Sequence, residues 1–275
     1  MASMIMLAIA TLSGGVLGLI DLRLAYVFSL CSAVTMGILA WRFTEPVHAP
    51  DCVSLPQGFV AVVMSCFARL RDPVLGWVFA IVIVLYAMAH IVYEFYQPYI
   101  SLLQSPLLDA SAYAPLISGV IISISMFGGA IGARVSVALQ GRLGLIGILA
   151  LAMFVQLGIV AAMAVAISPL VLMLVSARNF PMSLVVAPVR SAIAPRISRK
   201  QRATYLSLQG LSERLFFALL LLGLASGIEQ GVPVNEPTLL RILTSTLWVG
   251  MMLALLIFLF SARVRMLLKA DEAGT

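Results

Sequence analysis

Polar and aromatic side chains crowd the end of one long apolar segment, in the stretch AHIVYEFYQPYI. Tyr86, His90, Tyr93 and Gln97 follow the i, i+4, i+7, i+11 spacing of one helix face, and Glu94 lies one position beside that face. Such a stripe is a candidate lining for a substrate cavity. The alternative is that these side chains hydrogen-bond neighbouring helices or belong to the aromatic belt of a membrane surface. The belt is the favoured place for Tyr96 and Tyr99.

A second candidate site is the segment ARNFP, which interrupts a later apolar run. A charge at mid-depth in a membrane costs at least about 2.5–3.5 kcal/mol on insertion scales, so Arg178 requires a compensating partner. A guanidinium binds a carboxylate or a phosphate through paired hydrogen bonds, which makes Arg178 the best candidate for a substrate or coupling contact. Asn179 is a weaker candidate. The alternative is a structural ion pair of Arg178 with Glu213 or Glu94.

A third group lies in the segment SLQGLSERL. Gln209 and Glu213 are four residues apart, on one face of a helix, and Arg214 lies beside them. Glu213 is a candidate for a protonatable coupling residue. The sequence favours the other interpretation, in which Glu213 pairs with an arginine and holds two helices together.

The motifs of soluble catalytic sites do not occur. His48 and His90 are far apart, and the chain contains no Ser-x-x-Lys, no His-Glu-x-x-His, no clustered carboxylates and no nucleotide-binding loop. Cys31, Cys52 and Cys66 have no paired spacing. The sequence therefore predicts a protein that is not an enzyme and has neither a metal nor a cofactor.

The elements that must position these residues are apolar helices. Of the 275 residues, 62% are hydrophobic and 10% are charged, against about 45–50% and about 25% in soluble domains. Apolar stretches near 20 residues long recur, and each is long enough to cross a hydrocarbon layer about 30 Å thick. The fold class is an all-α polytopic membrane protein. The net charge of +6 is attributed to membrane loops rather than to nucleic-acid binding.

About eight transmembrane helices are predicted. We name them A to H, with approximate bounds 2–20, 24–41, 74–97, 113–134, 143–167, 170–189, 203–228 and 241–262. Segment 58–68 is too short to cross and is predicted to lie on the inner surface as an interfacial helix. The loops of one side hold most of the basic residues, and the other side holds Arg23 and Arg241. The positive-inside rule then predicts that both termini are cytoplasmic.

Two glycine clusters predict close helix packing. Gly14, Gly15 and Gly18 of helix A have the same spacing as Gly128, Gly129 and Gly132 of helix D. Small residues four apart let two helix backbones approach closely. The clusters are interpreted as packing surfaces and not as part of a catalytic site.

Several stretches resemble the major facilitator superfamily, in the order and spacing of its last eight helices. LSGGVLGLIDLRLAYVFSL is similar to its fifth and sixth helices, FARLRDPVLGW to its linker helix and FYQPYISLL to the end of its seventh helix. GGAIGARVSVALQGRLG resembles its eighth helix with the following turn, and APRISRKQRATYLSLQGL the start of its eleventh helix. Counterparts of the first four helices are absent from this chain.

The resemblance implies a partial major facilitator fold. Residues 1–42 would be two helices from the end of the N-terminal half, residues 43–73 a cytoplasmic linker, and residues 74–275 the six-helix C-terminal half. In that family the seventh and tenth helices line the central cavity, which implies the same for the His90 stripe and for Arg178. The fifth and eighth helices meet between the halves, which implies contact of the two glycine clusters.

Two functions are expected from these features. The first is secondary-active transport of a small solute by alternating access, with the lipid bilayer, an unidentified solute and a coupling proton as partners, and with a separate chain as a candidate source of the absent helices. The alternative is a non-transporting remnant or scaffold that keeps the fold only. The expected location is a cell membrane, in particular a bacterial inner membrane.

Overall fold

The computed structural model describes residues 2–44, 59–103, 113–226 and 234–273. The part of the predicted linker that contains His48 and Cys52 lies outside these residues. In the described ranges the chain forms helices and no strand. They are α1 (Ala2–Ile20), α2 (Leu22–Trp41), α3 (Phe59–Arg69), α4 (Pro73–Leu102), α5 (Ala114–Val165), α6 (Pro169–Val175), α7 (Asn179–Ile193), α8 (Arg199–Ala225), α9 (Glu236–Leu259) and α10 (Ser261–Ala273).

Seven helical stretches in the described ranges are long and apolar enough to cross a membrane. They are α1, α2, α4, α5, α6 with α7, α8 and α9. The chain is thus an all-helical polytopic membrane protein, as its composition predicted. Helix α3 is short and packs beside α8, where the Gln201 side-chain amide donates a hydrogen bond of 3.0 Å to Ser65 Oγ. Helix α10 was not predicted, and it packs against α4 and α9.

Helix α5 is 52 residues long and contains a break at Gly144. Near its start, Ile117 lines the same groove as Leu103, at the end of α4. Just beyond its end, Ala166 accepts a hydrogen bond from the hydroxyl of Tyr99, which is also near the end of α4. The two ends of α5 therefore lie together, and the helix reverses direction between them. Its two antiparallel segments correspond to the predicted helices D and E.

The backbone of Gly144 makes this reversal possible. Its φ of 67° and ψ of 179° belong to a region that is essentially restricted to glycine. Segments 114–143 and 145–165 are about 45 Å and 30 Å long at 1.5 Å per residue, so each reaches across a bilayer.

Predicted helix F is two helices in the structure. The chain tightens after α6, where Ala177 N–H donates to Leu174 O at 2.9 Å and Arg178 N–H donates to Val175 O at 3.1 Å. These i→i−3 bonds form a short 3₁₀ turn. Pro181 lies in the first turn of α7, where its missing N–H costs little.

One end of the helix bundle carries the basic residues. Arg196 Nε lies 3.9 Å from Asp72 Oδ2, which joins the end of α7 to the start of α4. Arg202 donates a 2.7 Å hydrogen bond to the Ala194 carbonyl, which joins the start of α8 to the same place. We call this the basic end. Helices α7 and α8 are therefore antiparallel neighbours that meet at the basic end.

The first two helices are peripheral to this bundle. Helix α1 packs along α5, and α2 packs against α1. Helix α2 has no buried residue. The main core instead consists of α4, α7, α8, α9 and the second segment of α5.

Candidate functional site

The polar stripe of α4 faces α8. The rings of Tyr86 and His90 stack with centroids 3.8 Å apart, and the His90 ring lies 6.4 Å from that of Tyr93. Phe217 of α8 is 5.4 Å from His90. The helical spacing thus correctly placed Tyr86, His90 and Tyr93 on one face. His90 Nδ1 lies 3.1 Å from the carbonyl oxygen of Tyr86 in the preceding turn.

Arg178 lies under two tyrosine rings of α4. Its guanidinium carbon is 4.7 Å from the ring centre of Tyr93 and 5.2 Å from that of Tyr96. The side chain is 3% exposed, and its Nη1 is buried without a hydrogen-bond partner. The negative faces of the two rings attract the guanidinium by cation–π interaction. Residues from α4 and from the α6–α7 turn therefore form one cluster, which we call the arginine–tyrosine cluster.

Neither ion pair suggested for Arg178 is formed. In the part of the chain that the structure describes, no carboxylate lies within 4.0 Å of its guanidinium. Glu213 instead accepts a 3.0 Å hydrogen bond from Gln209 on its own helix, and Glu94 is exposed. The physical reason is that an amide four residues away reaches the carboxylate without any contact between helices.

The sequence misplaced two tyrosines. Tyr96 and Tyr99 were expected in the aromatic belt, but they are 3% and 0% exposed. Tyr96 contacts Arg178, and Tyr99 hydrogen-bonds Ala166. The three-residue spacing of Tyr93 and Tyr96, which puts both on one side of α4, is the signal that could have identified the pair.

The remaining candidates are outside the arginine–tyrosine cluster or at its edge. Gln97 is exposed and donates a 3.3 Å hydrogen bond to the Tyr96 hydroxyl. Asn179 lies next to Arg178, but its amide donates toward Met126 Sδ of α5 at 3.6 Å. Arg214 is exposed on α8. The structure therefore does not place Asn179 or Arg214 beside the tyrosines.

A cavity of about 270 Å³ lies between α4, α7 and α8. Gln209 and Glu213, both predicted as polar candidates, line it. The sequence did not indicate Arg190 or Gly210, which line it too. Most of the wall is apolar, and half of the lining residues come from α7. The sequence did contain a sign of this cavity, because Gly210 has no side chain and leaves space next to Gln209.

The glycine clusters pack closely, but not all against each other. A Cβ atom on Gly15 would lie 2.9 Å from Pro115 O and 3.1 Å from Gly119 Cα. The partner of Gly15 is thus Gly119, which belongs to neither predicted glycine cluster. Gly18 also faces Pro115, at 3.2 Å, whereas nothing lies within 4 Å of Gly14.

The helix D glycines mainly face α7. A Cβ on Gly132 would lie 2.6 Å from the Phe180 carbonyl oxygen, and one on Gly129 would lie 2.9 Å from Ser183 Oγ and 2.7 Å from Met4 Sδ. Gly128 has no atom closer than 3.8 Å. Of the helix D glycines, only Gly129 therefore contacts α1, through Met4. Helix α1 runs antiparallel to α5, so the glycines of α1 lie near the start of α5 instead.

The chain matches no family model, no curated protein and no solved structure.

Proposed function

We propose that this chain is part of a secondary-active transporter of the major facilitator type, which moves a small solute by alternating access. The observation that carries the proposal is the arginine–tyrosine cluster. A buried guanidinium with an unpartnered Nη1 lies where the membrane helix α6–α7 is interrupted. Transporters bind solutes and ions at interrupted helices near the middle of the bilayer.

The neighbouring polar residues support the same proposal. His90 of α4 lies against Phe217 of α8, and Gln209 and Glu213 of α8 line the cavity beside α7. Ionisable residues inside membrane helices are expensive and commonly mark a solute or proton path. In this proposal Arg178 and the α4 stripe contact the solute, and Glu213 carries the coupling proton.

The orientation and the partial fold belong to the proposal. The positive-inside rule assigns the basic end to the cytoplasm, with both termini on that side, in a bacterial inner membrane. The six helical segments from α4 to α9 would form the C-terminal half of the fold. Helices α1 and α2 would be the end of the other half, and a separate chain would supply the four helices that have no counterpart here.

The proposal can be tested without knowing the solute. Tyr86 lies in the middle of α4, so a cysteine there should be reached from either side of the membrane only if the protein changes state. We expect Tyr86→Cys, made with Cys31, Cys52 and Cys66 replaced, to react with a membrane-impermeant maleimide in both right-side-out and inside-out vesicles of the source cell's membrane, where the separate chain is present.

Two controls make the result specific. A chain that keeps only Cys31, an exposed residue of the peripheral helix α2, should remain unlabelled because lipid surrounds its thiol. A trapped dye must stay inside the vesicles, which excludes an open channel. Labelling of Tyr86→Cys from one side only, or from neither, would contradict transport and favour the remnant or scaffold.

A further inference from the structure

The cavity between α4, α7 and α8 is a mainly apolar, partly open chamber, with Gln209 and Glu213 at its deep end and Arg190 at its mouth. Its volume is about 270 Å³, which is of the order of a small organic molecule. Val82, Val185, Val189 and Leu206 contribute to its wall. A ligand that fills this chamber must therefore have an apolar body.

The deep end presents oxygen acceptors. Gln209 is 6% exposed, and its Nε2 donates a 3.0 Å hydrogen bond to Glu213 Oε1. This bond turns the amide so that its oxygen points away from the carboxylate. Gln209 Oε1 is buried and has no hydrogen-bond partner. A buried acceptor without a donor is unfavourable, and a ligand N–H group that reaches this oxygen would satisfy it.

The carboxylate of Glu213 determines the charge of that ligand. It lines the same cavity as the Gln209 side chain. An ammonium group has three donors and a positive charge, so it can bond the amide oxygen and neutralise the carboxylate together. An anionic head group would be repelled by Glu213 and would leave Gln209 without a donor.

Arg190 also lines the cavity but lies far from this deep end. It is exposed and three residues from the end of α7, so it is about 5 Å from the basic end. Glu213 is 14 residues into α8 from Arg199, or about 21 Å along the helix from that end. The charge of Arg190 is therefore solvated at the mouth, while Glu213 lies deep inside.

We infer that this cavity binds a hydrophobic ammonium ion, with the ammonium at Gln209 and Glu213 and the apolar body against the valine wall. This inference deepens the proposed transport function, on which it rests, by naming a solute class.

Equilibrium dialysis of the purified full chain in lipid nanodiscs tests the inference, with 2-phenylethylamine as the probe. We expect saturable binding that Glu213→Gln weakens at least tenfold. The matched control is Glu236→Gln, which removes an exposed carboxylate at the start of α9 and should leave the affinity unchanged. Saturable binding of 3-phenylpropanoate in preference to the amine, or equal affinity of the Glu213→Gln chain for the amine, would overturn the inference.

A second variant separates binding from folding. A Cβ on Gly210 meets no atom within 4 Å, so Gly210→Val extends into the cavity space without a clash at Cβ. We expect this variant to melt at or above the temperature of the parent and to bind the amine at least fivefold more weakly. Unchanged affinity would place the amine elsewhere and contradict the inference.

The outcome is distinct from that of the transport test. If Tyr86→Cys is labelled from both sides while the amine does not bind, transport stands and the ammonium class is wrong. If the amine binds as expected while Tyr86→Cys is labelled from one side only, the binding site stands and alternating access is wrong.

Discussion

At the scale of single residues, Arg178 shows how a membrane protein can accommodate a charge without a counter-charge. The sequence identified Arg178 because an arginine is costly at mid-depth, and it suggested carboxylates as partners. The structure provides the faces of Tyr93 and Tyr96 instead. Two aromatic rings offset part of the desolvation cost, and Nη1 remains without a hydrogen bond.

This arrangement predicts which residue is energetically coupled to Arg178. A double-mutant cycle of Arg178→Met and Tyr93→Leu should give a coupling free energy of about 0.5–2 kcal/mol, the range for a cation–π contact. Reversible unfolding in mixed micelles measures it. The control cycle of Arg178→Met with Glu213→Gln should give less than about 0.5 kcal/mol, since the two residues share no contact. A larger coupling free energy for Arg178 with Glu213 than for Arg178 with Tyr93 would instead support the Arg178–Glu213 ion pair.

At the scale of the elements, two glycines occupy positions that other residues would fit poorly. Gly144 allows α5 to reverse direction, and Gly15 allows α1 to approach α5. The first position concerns the backbone of one residue, and the second concerns the distance between two helices. Different substitutions therefore test them.

Gly144→Ala should destabilise the protein by about 1–3 kcal/mol, the cost of holding a non-glycine residue in a disfavoured backbone region. No atom lies within 4 Å of the added Cβ, so the cost would be conformational and not steric. Gly141→Ala is the matched control, because that position is helical and equally open. We expect it to be neutral or to stabilise by up to about 1 kcal/mol. Unfolding in mixed micelles compares the two, and equal effects would contradict the reversal at Gly144.

Gly15→Leu should destabilise the α1–α5 contact. Its side chain would push against Pro115 and Gly119, and overpacking of this kind costs about 1–3 kcal/mol. Gly14→Leu adds the same side chain one position away, where nothing lies within 4 Å, so it should fold like the parent. The yield of monodisperse protein and its melting temperature measure both variants. If the two variants behave alike, the close contact between Gly15 and Gly119 is wrong.

At the scale of the whole molecule, the basic residues distinguish one end of the helix bundle from the other, whereas packing distinguishes core helices from peripheral ones. The basic residues gather at one end of the bundle, where the Asp72–Arg196 pair joins α4 to α7. Packing instead leaves α2 outside the α4–α9 core, since α2 buries no side chain and packs against α1. The distribution of charge governs orientation in the membrane. The loose packing of the peripheral helices leaves apolar faces for lipid or for another chain.

The proposed orientation has a direct test. Ser198 lies at the basic end, before α8, and Ser101 lies near the far end of α4, and both are exposed. In a chain without other cysteines, we expect Ser198→Cys to react with an impermeant maleimide only from the cytoplasmic side and Ser101→Cys only from the other side. Reaction of both from one side would contradict the proposed topology.

The sequence by itself determined the apolar segments long enough to cross a membrane and the face shared by the α4 stripe. A bilayer requires about 20 apolar residues for each crossing and requires every backbone group to be bonded within its helix, so composition along the chain reveals the segments. The stripe of Tyr86, His90 and Tyr93 was also predictable, because a helix repeats every 3.6 residues whatever surrounds it. The joining of Gln209 to Glu213 within α8 follows from the same repeat.

Only the tertiary structure decided which helices meet and at which residues. It paired Arg178 with Tyr93 and Tyr96 rather than with Glu213, and Gly15 with Gly119 rather than with Gly129. Such pairs depend on the rotation of each helix and on its offset along the neighbouring helix. Apolar composition does not specify either quantity, because a lipid tail and a leucine side chain offer a membrane helix nearly the same environment. The contacts are set by the shapes of small and aromatic side chains, and these shapes fit together only in the folded protein.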